Sequence, residues 1–133
     1  MTDIPKEYDN IPGTFVFDAD RSREGYHINM FCMSLLKADN RAEFKADEGK
    51  YLDKFPMTAE PRDAVLKRQW NRMLELGANI YFTAKLGATD GLSFQQVAAI
   101  MTGSTQAEYA EMMLKGGRNP DGNRYKSEWE NKK

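Results

Sequence analysis

The sequence has 133 residues, 41% apolar and 29% charged, which is the composition of one folded domain rather than of a disordered chain. Its formal net charge of −1 gives no long-range attraction for phosphate backbones or anionic lipids, so neither nucleic acid nor a membrane is an expected partner. The single cysteine, Cys32, excludes an intramolecular disulfide, and no basic leader precedes an apolar run. We therefore expect a cytoplasmic protein.

Three parts are predicted along the chain. Residues 1–20, which include two prolines, are predicted to form an extended N-terminal arm. Residues 21–117 are predicted to form a single small all-α domain of about five to seven helices, and residues 118–133 a polar C-terminal tail. The arm contains the apolar run at 15–17, so we expect it to pack on a partner chain, with burial in this chain's own core as the alternative.

Apolar side chains at helical spacing predict three helices in the first half of the chain. The first covers residues 22–39 and has a wide apolar face. Asn40 and Glu43 form a pair of the capping-box type and start a second helix over residues 40–55. A third helix is predicted over residues 58–77, where a glycine ends it.

The second half contains shorter predicted elements. The apolar run at residues 79–86 is predicted as a helix, with a strand as the alternative. Ser93 with Gln96, and Thr105 with Glu108, have capping-box spacing and therefore predict the starts of two further helices.

The last two predicted helices, joined by a glycine-containing turn, resemble a helix-turn-helix. A groove-reading second helix needs basic or amide side chains at its N-terminal end. Here that helix begins with Gln106 but continues with Glu108 and Glu111, and Lys115 stands at its far end. A DNA-binding or adaptor module is thus a less favoured hypothesis from another functional class.

Few side chains of this sequence can build a catalytic site. Zinc and non-haem iron sites draw on several His or Cys ligands, whereas this chain has only His27 and Cys32, at a spacing that does not share one helix face. We interpret Cys32 as a buried, inert thiol and His27 as a surface or interface residue. The acidic pairs are interpreted as solvated helix faces; they are Asp18 with Asp20 and Asp47 with Glu48.

Two long stretches are similar to one known family. Residues 11–52, which begin IPGTFVFDADRSREGYHINMF, and residues 77–122, which begin GANIYFTAKLGATDGLSFQQV, closely resemble the small, or alpha, subunits of the protocatechuate 4,5-dioxygenase family, class III extradiol dioxygenases. The likeness covers nearly the whole chain, but the first ten and last eleven residues depart from the family's pattern.

The resemblance implies an all-helical subunit that binds a larger, catalytic beta subunit, typically as two alpha with two beta chains. The beta subunit would hold Fe(II) through two His and one carboxylate. The assembled enzyme would open the ring of an aromatic acid with dioxygen, as a step of aromatic compound catabolism. The alpha subunit would cover that site and exclude water from it, without binding metal or supplying a catalytic residue. The isolated chain is then expected to be inactive.

The resemblance also places a substrate-pocket lid between two helices, formed by Thr89, Asp90, Gly91, Ser93 and Phe94. By its position alone, Phe94 can either staple the helix that follows or face a ligand. The resemblance favours the ligand. Protocatechuate is the leading substrate, and gallate or another hydroxybenzoate is the alternative, because walls from the beta chain would set that preference.

Overall fold

The described residues form helices and the turns between them. A computed structural model describes residues 6–8, 11 and 15–117, and these ranges contain no strand. The prediction of an all-α fold is confirmed, whereas the predicted tail at 118–133 lies outside the described residues. The helices are, in order, α1 (Ala19–Glu24), α2 (Tyr26–Ser34), α3 (Ala38–Ala46), α4 (Glu48–Leu52), α5 (Ala59–Leu66), α6 (Trp70–Glu75), α7 (Ile80–Thr89), α8 (Phe94–Thr102) and α9 (Gln106–Leu114).

The first predicted helix, over residues 22–39, is wrong in its extent. Gly25 divides it into α1 and α2, and α2 ends at Ser34. The predicted helix start at Asn40 is also wrong, because α3 begins at Ala38. The Asn40 amide instead donates a hydrogen bond of 2.8 Å to the carbonyl oxygen of Ser34. Asn40 thus satisfies a carbonyl left open at the end of the preceding helix rather than capping its own.

The next two predicted helices are each interrupted once. The helix over 40–55 breaks at Asp47, whose side chain accepts a hydrogen bond from the backbone N–H of Lys50 and so starts α4. The helix over 58–77 breaks between α5 and α6, where Arg68 has a φ of +53°. This left-handed conformation costs a residue with a side chain about 1–2 kcal/mol. These breaks raise the number of described helices above the predicted five to seven.

The second half of the chain follows the sequence more closely. The run at 79–86 is helical, as favoured over a strand, and belongs to α7. Both predicted capping boxes are confirmed at the starts of α8 and α9. In each box the Ser93 or Thr105 hydroxyl accepts from a backbone N–H, and the Gln96 or Glu108 side chain accepts from the backbone N–H of the cap residue.

Aromatic rings fill the core between the early helices. The ring of Phe31 lies 5.1 Å from that of Phe44 and 6.1 Å from that of Tyr51, measured between centroids. These tilted and edge-to-face arrangements are the favourable geometries for aromatic pairs. Helices α2, α3 and α4 are thereby joined. The rest of the core is mainly aliphatic and includes Ile28, Leu35, Leu52, Val65, Met73, Leu86 and Val97.

The backbone of Gly25 lies directly against the backbone of Gly77. A Cβ atom built on Gly25 would lie 2.0 Å from the Gly77 carbonyl oxygen, so a larger residue would force the two backbones apart. The buried Asn29 amide donates to the same carbonyl oxygen at 3.2 Å and accepts from the backbone N–H of Asn79 at 2.9 Å. This contact packs the start of α2 against the turn that leads into α7.

We expect Gly25→Ala to destabilise the chain by about 2 kcal/mol or more, because the overlap would fall on backbone atoms that cannot rotate away. Gly49→Ala is the matched control. A Cβ there would meet the Arg62 guanidinium at 3.4 Å, and alanine favours a helix by roughly 0.5–1 kcal/mol. Urea unfolding followed by circular dichroism measures both variants, and equal free energies of unfolding would contradict the prediction.

Candidate functional site

The predicted lid residues surround the loop between α7 and α8, residues 90–93. Gly91 has a φ of +84°, and the backbone N–H groups of Gly91 and Leu92 donate to the last turn of α7 at 3.0 and 2.8 Å. This Schellman-type closure ends α7 and turns the chain towards α8. A Cβ atom added to Gly91 would meet nothing within 4 Å. The side of Gly91 on which a side chain would stand is therefore open.

Phe94 is the first residue of α8, and its side chain is 55% exposed. Helix stapling joins the residue before the cap to the fourth helical residue. Here these positions are held by Leu92, which is half-buried against the core, and by the buried Val97. The preceding Ser93 is fixed by its capping box. Phe94 is thus presented at the surface and does not occupy the stapling position.

Small residues allow α7 to pack closely on α8. A Cβ on Gly87 would lie 2.7 Å from the Val97 side chain. Thr89, in contrast to the other four predicted lid residues, is buried, and its hydroxyl donates to the Lys85 carbonyl oxygen at 2.8 Å. Its side chain therefore contributes to helix packing, and its lid role stays a prediction.

Asp90 is held by Arg68, a residue that the sequence analysis did not single out. The Asp90 carboxylate accepts two hydrogen bonds from the Arg68 guanidinium, at 2.6 and 2.9 Å. On its other side the guanidinium donates to Glu48 at 3.0 and 2.8 Å. Such bidentate, charge-assisted pairs fix orientation as well as distance. The bridge connects α4, the α5–α6 turn and the end of α7.

All four carboxylates of the acidic pairs interpreted as solvated faces accept hydrogen bonds within the chain, and only Asp47, which caps α4, is exposed. Glu48 binds Arg68, as described above. Near the N-terminus, Lys6 donates to Asp18 at 2.6 Å and to Asp20 at 2.5 Å, and the Tyr8 hydroxyl donates to Asp18 at 2.7 Å. Hydrogen bonds from Lys6, the Arg21 backbone and Tyr8 hold the pKa of Asp18 below its usual range. Lys6 and Tyr8 of the predicted arm therefore contact the start of α1, whose first two residues, Ala19 and Asp20, fall within the range predicted as arm.

His27 and Cys32 both lie in α2, far from the α7–α8 loop in the sequence. Cys32 is fully buried in the core, as predicted, and burial raises the pKa of its thiol to about 12. His27 is half-buried, with its ring edge-on to Tyr26 at 5.2 Å between centroids.

Within residues 6–8, 11 and 15–117, no three His, Cys, Asp or Glu side chains are grouped closely enough to hold a metal ion. Over the same residues, no helix has the length and apolar character needed to span a membrane.

The α8–α9 pair, considered above as a helix-turn-helix, presents few groups that could contact a DNA groove. Gln106, the one favourable residue at the start of α9, donates its amide to Gln95 of α8 at 3.0 Å. Glu108 is engaged in the capping box, and Lys115 pairs with Glu111 at 2.8 Å. The geometry therefore adds no support for DNA binding.

Comparisons with known proteins agree on one class of enzyme. A family model described as "Aromatic-ring-opening dioxygenase LigAB, LigA subunit" matches residues 28–114, which include the whole α7–α8 loop. The chain is also similar to a gallate dioxygenase of Pseudomonas putida, with 24% identity over 101 residues. That match covers 76% of this chain but only 30% of the relative, so the chain spans less than a third of the relative's length.

We expect the Cys32 thiol to be unreactive in the folded chain. Because its pKa is raised from its ordinary value near 9, the thiolate is negligible at about pH 8, and the stability due to the neutral thiol is lost only as pH rises from about 9 towards 12. Labelling with a chromogenic disulfide reports Cys32 alone, since the chain has one cysteine. We predict no labelling when folded and one thiol per chain in urea; rapid labelling of the folded chain would contradict its burial.

Proposed function

Because the chain belongs to the LigA-subunit family of LigAB aromatic-ring-opening dioxygenases, we propose that it is the alpha subunit of an extradiol dioxygenase whose active site lies in a separate beta subunit. In this proposal the α7–α8 loop covers the mouth of that site and forms one wall of the substrate pocket. The observation that carries the lid assignment is Phe94, an aromatic side chain more than half exposed on a backbone fixed by the Ser93 capping box.

The composition of this chain supports a division of labour between subunits. The iron site of the non-haem oxygenases with open coordination positions uses two His and one carboxylate, whereas this sequence contains one His. The described residues therefore do not fit an iron site, and Fe(II) is assigned to the beta subunit. When bound there, the iron would bring the diol and dioxygen together. The alpha subunit's own contribution is to exclude water and to orient the substrate ring.

The loop suits an aromatic acid as its ligand. The ring of Phe94 offers apolar area and a positively polarised edge without adding a charge. The negative charge of Asp90 is compensated by Arg68, so it does not meet the substrate's carboxylate as an unpaired like charge. Protocatechuate is the proposed substrate. Gallate, the substrate in the name of the P. putida relative, is the alternative, since the two acids differ by one ring hydroxyl.

The remaining parts of the chain are assigned by the same proposal. Residues 21–117, with the two residues of α1 that precede them, form one helical domain, and the arm before α1 packs partly on the beta subunit. Phe17, which is 40% exposed beside the half-buried Phe15 and Val16, supports this contact. The assembly would contain two alpha and two beta chains and work in the cytoplasm, and the tail at 118–133 remains without an assigned role.

We predict that the purified chain retains no Fe(II) and opens no catechol ring, and that co-expression with its beta subunit yields a stable complex that does both. Metal analysis after gel filtration and the absorbance of the ring-opened product measure the two properties. Stoichiometric iron in the isolated chain, or ring opening by it, would contradict the proposed division of labour.

Phe94→Ala in the assembled enzyme should raise KM for the aromatic acid roughly 2- to 10-fold, or change the ranking of protocatechuate against gallate, because an aromatic contact with the substrate is lost. Stability should change by less than about 0.5 kcal/mol, since the ring is largely exposed. Tyr81→Ala is the matched control: Tyr81 is 75% exposed and lies in the first turn of α7, at the end away from the loop. A lower melting temperature with unchanged selectivity would contradict the lid role.

A further inference from the structure

We propose that Arg68 is a positioning residue for the substrate-facing loop. By binding Asp90 it fixes the end of α7, and through the short loop that follows it sets the place of Phe94. The inference rests on the proposed function only in taking the loop to face the substrate. The contacts by which Arg68 holds the loop all lie among the described residues of this chain.

The backbone of Arg68 has a left-handed conformation that elsewhere in the described chain is adopted by glycine. Its N–H donates to the carbonyl oxygen of Val65, and the N–H of Gln69 donates to that of Ala64, which ends α5 by the Schellman pattern. Four other helices end in the same pattern, each with a glycine in the left-handed position, and these glycines are Gly77, Gly91, Gly103 and Gly116. Arg68 is the one non-glycine residue with positive φ in the part of the chain that the structure describes. Its side chain must therefore offset a conformational cost that glycine avoids.

The side chain of Arg68 uses its full hydrogen-bonding capacity. All three guanidinium nitrogens donate: to both oxygens of Asp90, to both oxygens of Glu48, and at 2.8 Å to the Val65 carbonyl oxygen. The guanidinium carbon also lies 5.4 Å from the centre of the buried Phe44 ring. Only the planar fork of arginine can satisfy two carboxylates in this way, because an ammonium group acts as a point charge. The bridge between Asp90 and Glu48 therefore requires an arginine at position 68.

Charge explains why Asp90 needs this partner. Asp90 stands at the C-terminal end of α7, where the helix dipole is negative and a carboxylate is unfavourable. Arg68 supplies the compensating positive charge. Burial disfavours its cation, yet the hydrogen bonds to Asp90 and Glu48 outweigh burial and raise the pKa of Arg68 above its ordinary range. Without the guanidinium, the end of α7 would carry a carboxylate repelled by its own helix.

The loop is held from its two ends. Asp90 precedes it, and the capping box of Ser93 closes it at the start of α8. Between them the N–H groups of Gly91 and Leu92 donate to the last turn of α7 and Leu92 packs against the core, while the side of Gly91 on which a Cβ would stand is open. Phe94 follows Asp90 by four residues, so release of Asp90 removes the one salt bridge among the constraints described for this loop.

The first test is hydrogen–deuterium exchange over residues 91–94 of the full chain, in Arg68→Gly and Asp90→Asn variants. Arg68→Gly removes the bridge but suits the left-handed backbone, so the fold is kept. Arg62→Lys is the control, because Arg62 binds Asp53 and the Gly49 carbonyl oxygen, both at 2.9 Å, away from the loop. We expect exchange to increase roughly tenfold or more in both test variants and not in the control. Unchanged exchange in both, with a higher melting temperature for Arg68→Gly, would overturn the proposal.

The second test uses the assembled enzyme with protocatechuate and gallate. Arg68→Gly should raise KM roughly 3- to 10-fold with a smaller change in kcat, and Arg68→Lys should not restore it, because lysine lacks the fork. Adding Phe94→Ala to Arg68→Gly should raise KM less than the product of the two separate effects, since Arg68 acts through Phe94. Independent effects, or an unchanged KM, would overturn the positioning role. If no variant or wild-type assembly opens either ring, the proposed function fails, and the exchange result alone decides whether Arg68 holds the loop.

Discussion

The contact between the backbones of Gly25 and Gly77 is the constraint on which the arrangement of the described helices depends. It joins segments more than fifty residues apart, and the buried Asn29 amide seals it by bonding to the turn that starts α7. One end of α7 is set by this contact. The other end is set by the Arg68 bridge. A helix fixed at both ends is a suitable support for a loop proposed to present one side chain to a ligand.

Local chemistry decides which parts of this fold can be predicted from sequence. The capping boxes at Ser93 and Thr105 each satisfy their hydrogen bonds within four residues, so their spacing alone is sufficient. The breaks at Gly25 and Arg68 are different, because each depends on groups elsewhere in the fold. The role of Asn40 could not be predicted for the same reason. Its spacing to Glu43 suggests a cap, but a carbonyl of the preceding helix takes its amide.

The site shows a similar division. Phe94 could be singled out through the family resemblance, and its exposure and its place outside the stapling position agree with a ligand-facing side chain. Arg68 could not be found in this way. Its partners lie 20 and 22 residues away, and arginine carries no sequence signal for a left-handed helix end. Only the backbone angle and the geometry of the bridge, taken together, distinguish it from other surface arginines.

The guanidinium of Arg68 rests on the ring of Phe44, a fully buried member of the aromatic core. The core and the loop are therefore linked through the Arg68 side chain, which contacts Phe44 on one side and Asp90 on the other. During evolution, a substitution in the aromatic core would therefore also alter the position of the loop. A change in the packing of the aromatic rings would move the ring over which the Arg68 guanidinium lies. In the proposed assembly, substrate preference would then change without replacement of a residue that touches the substrate.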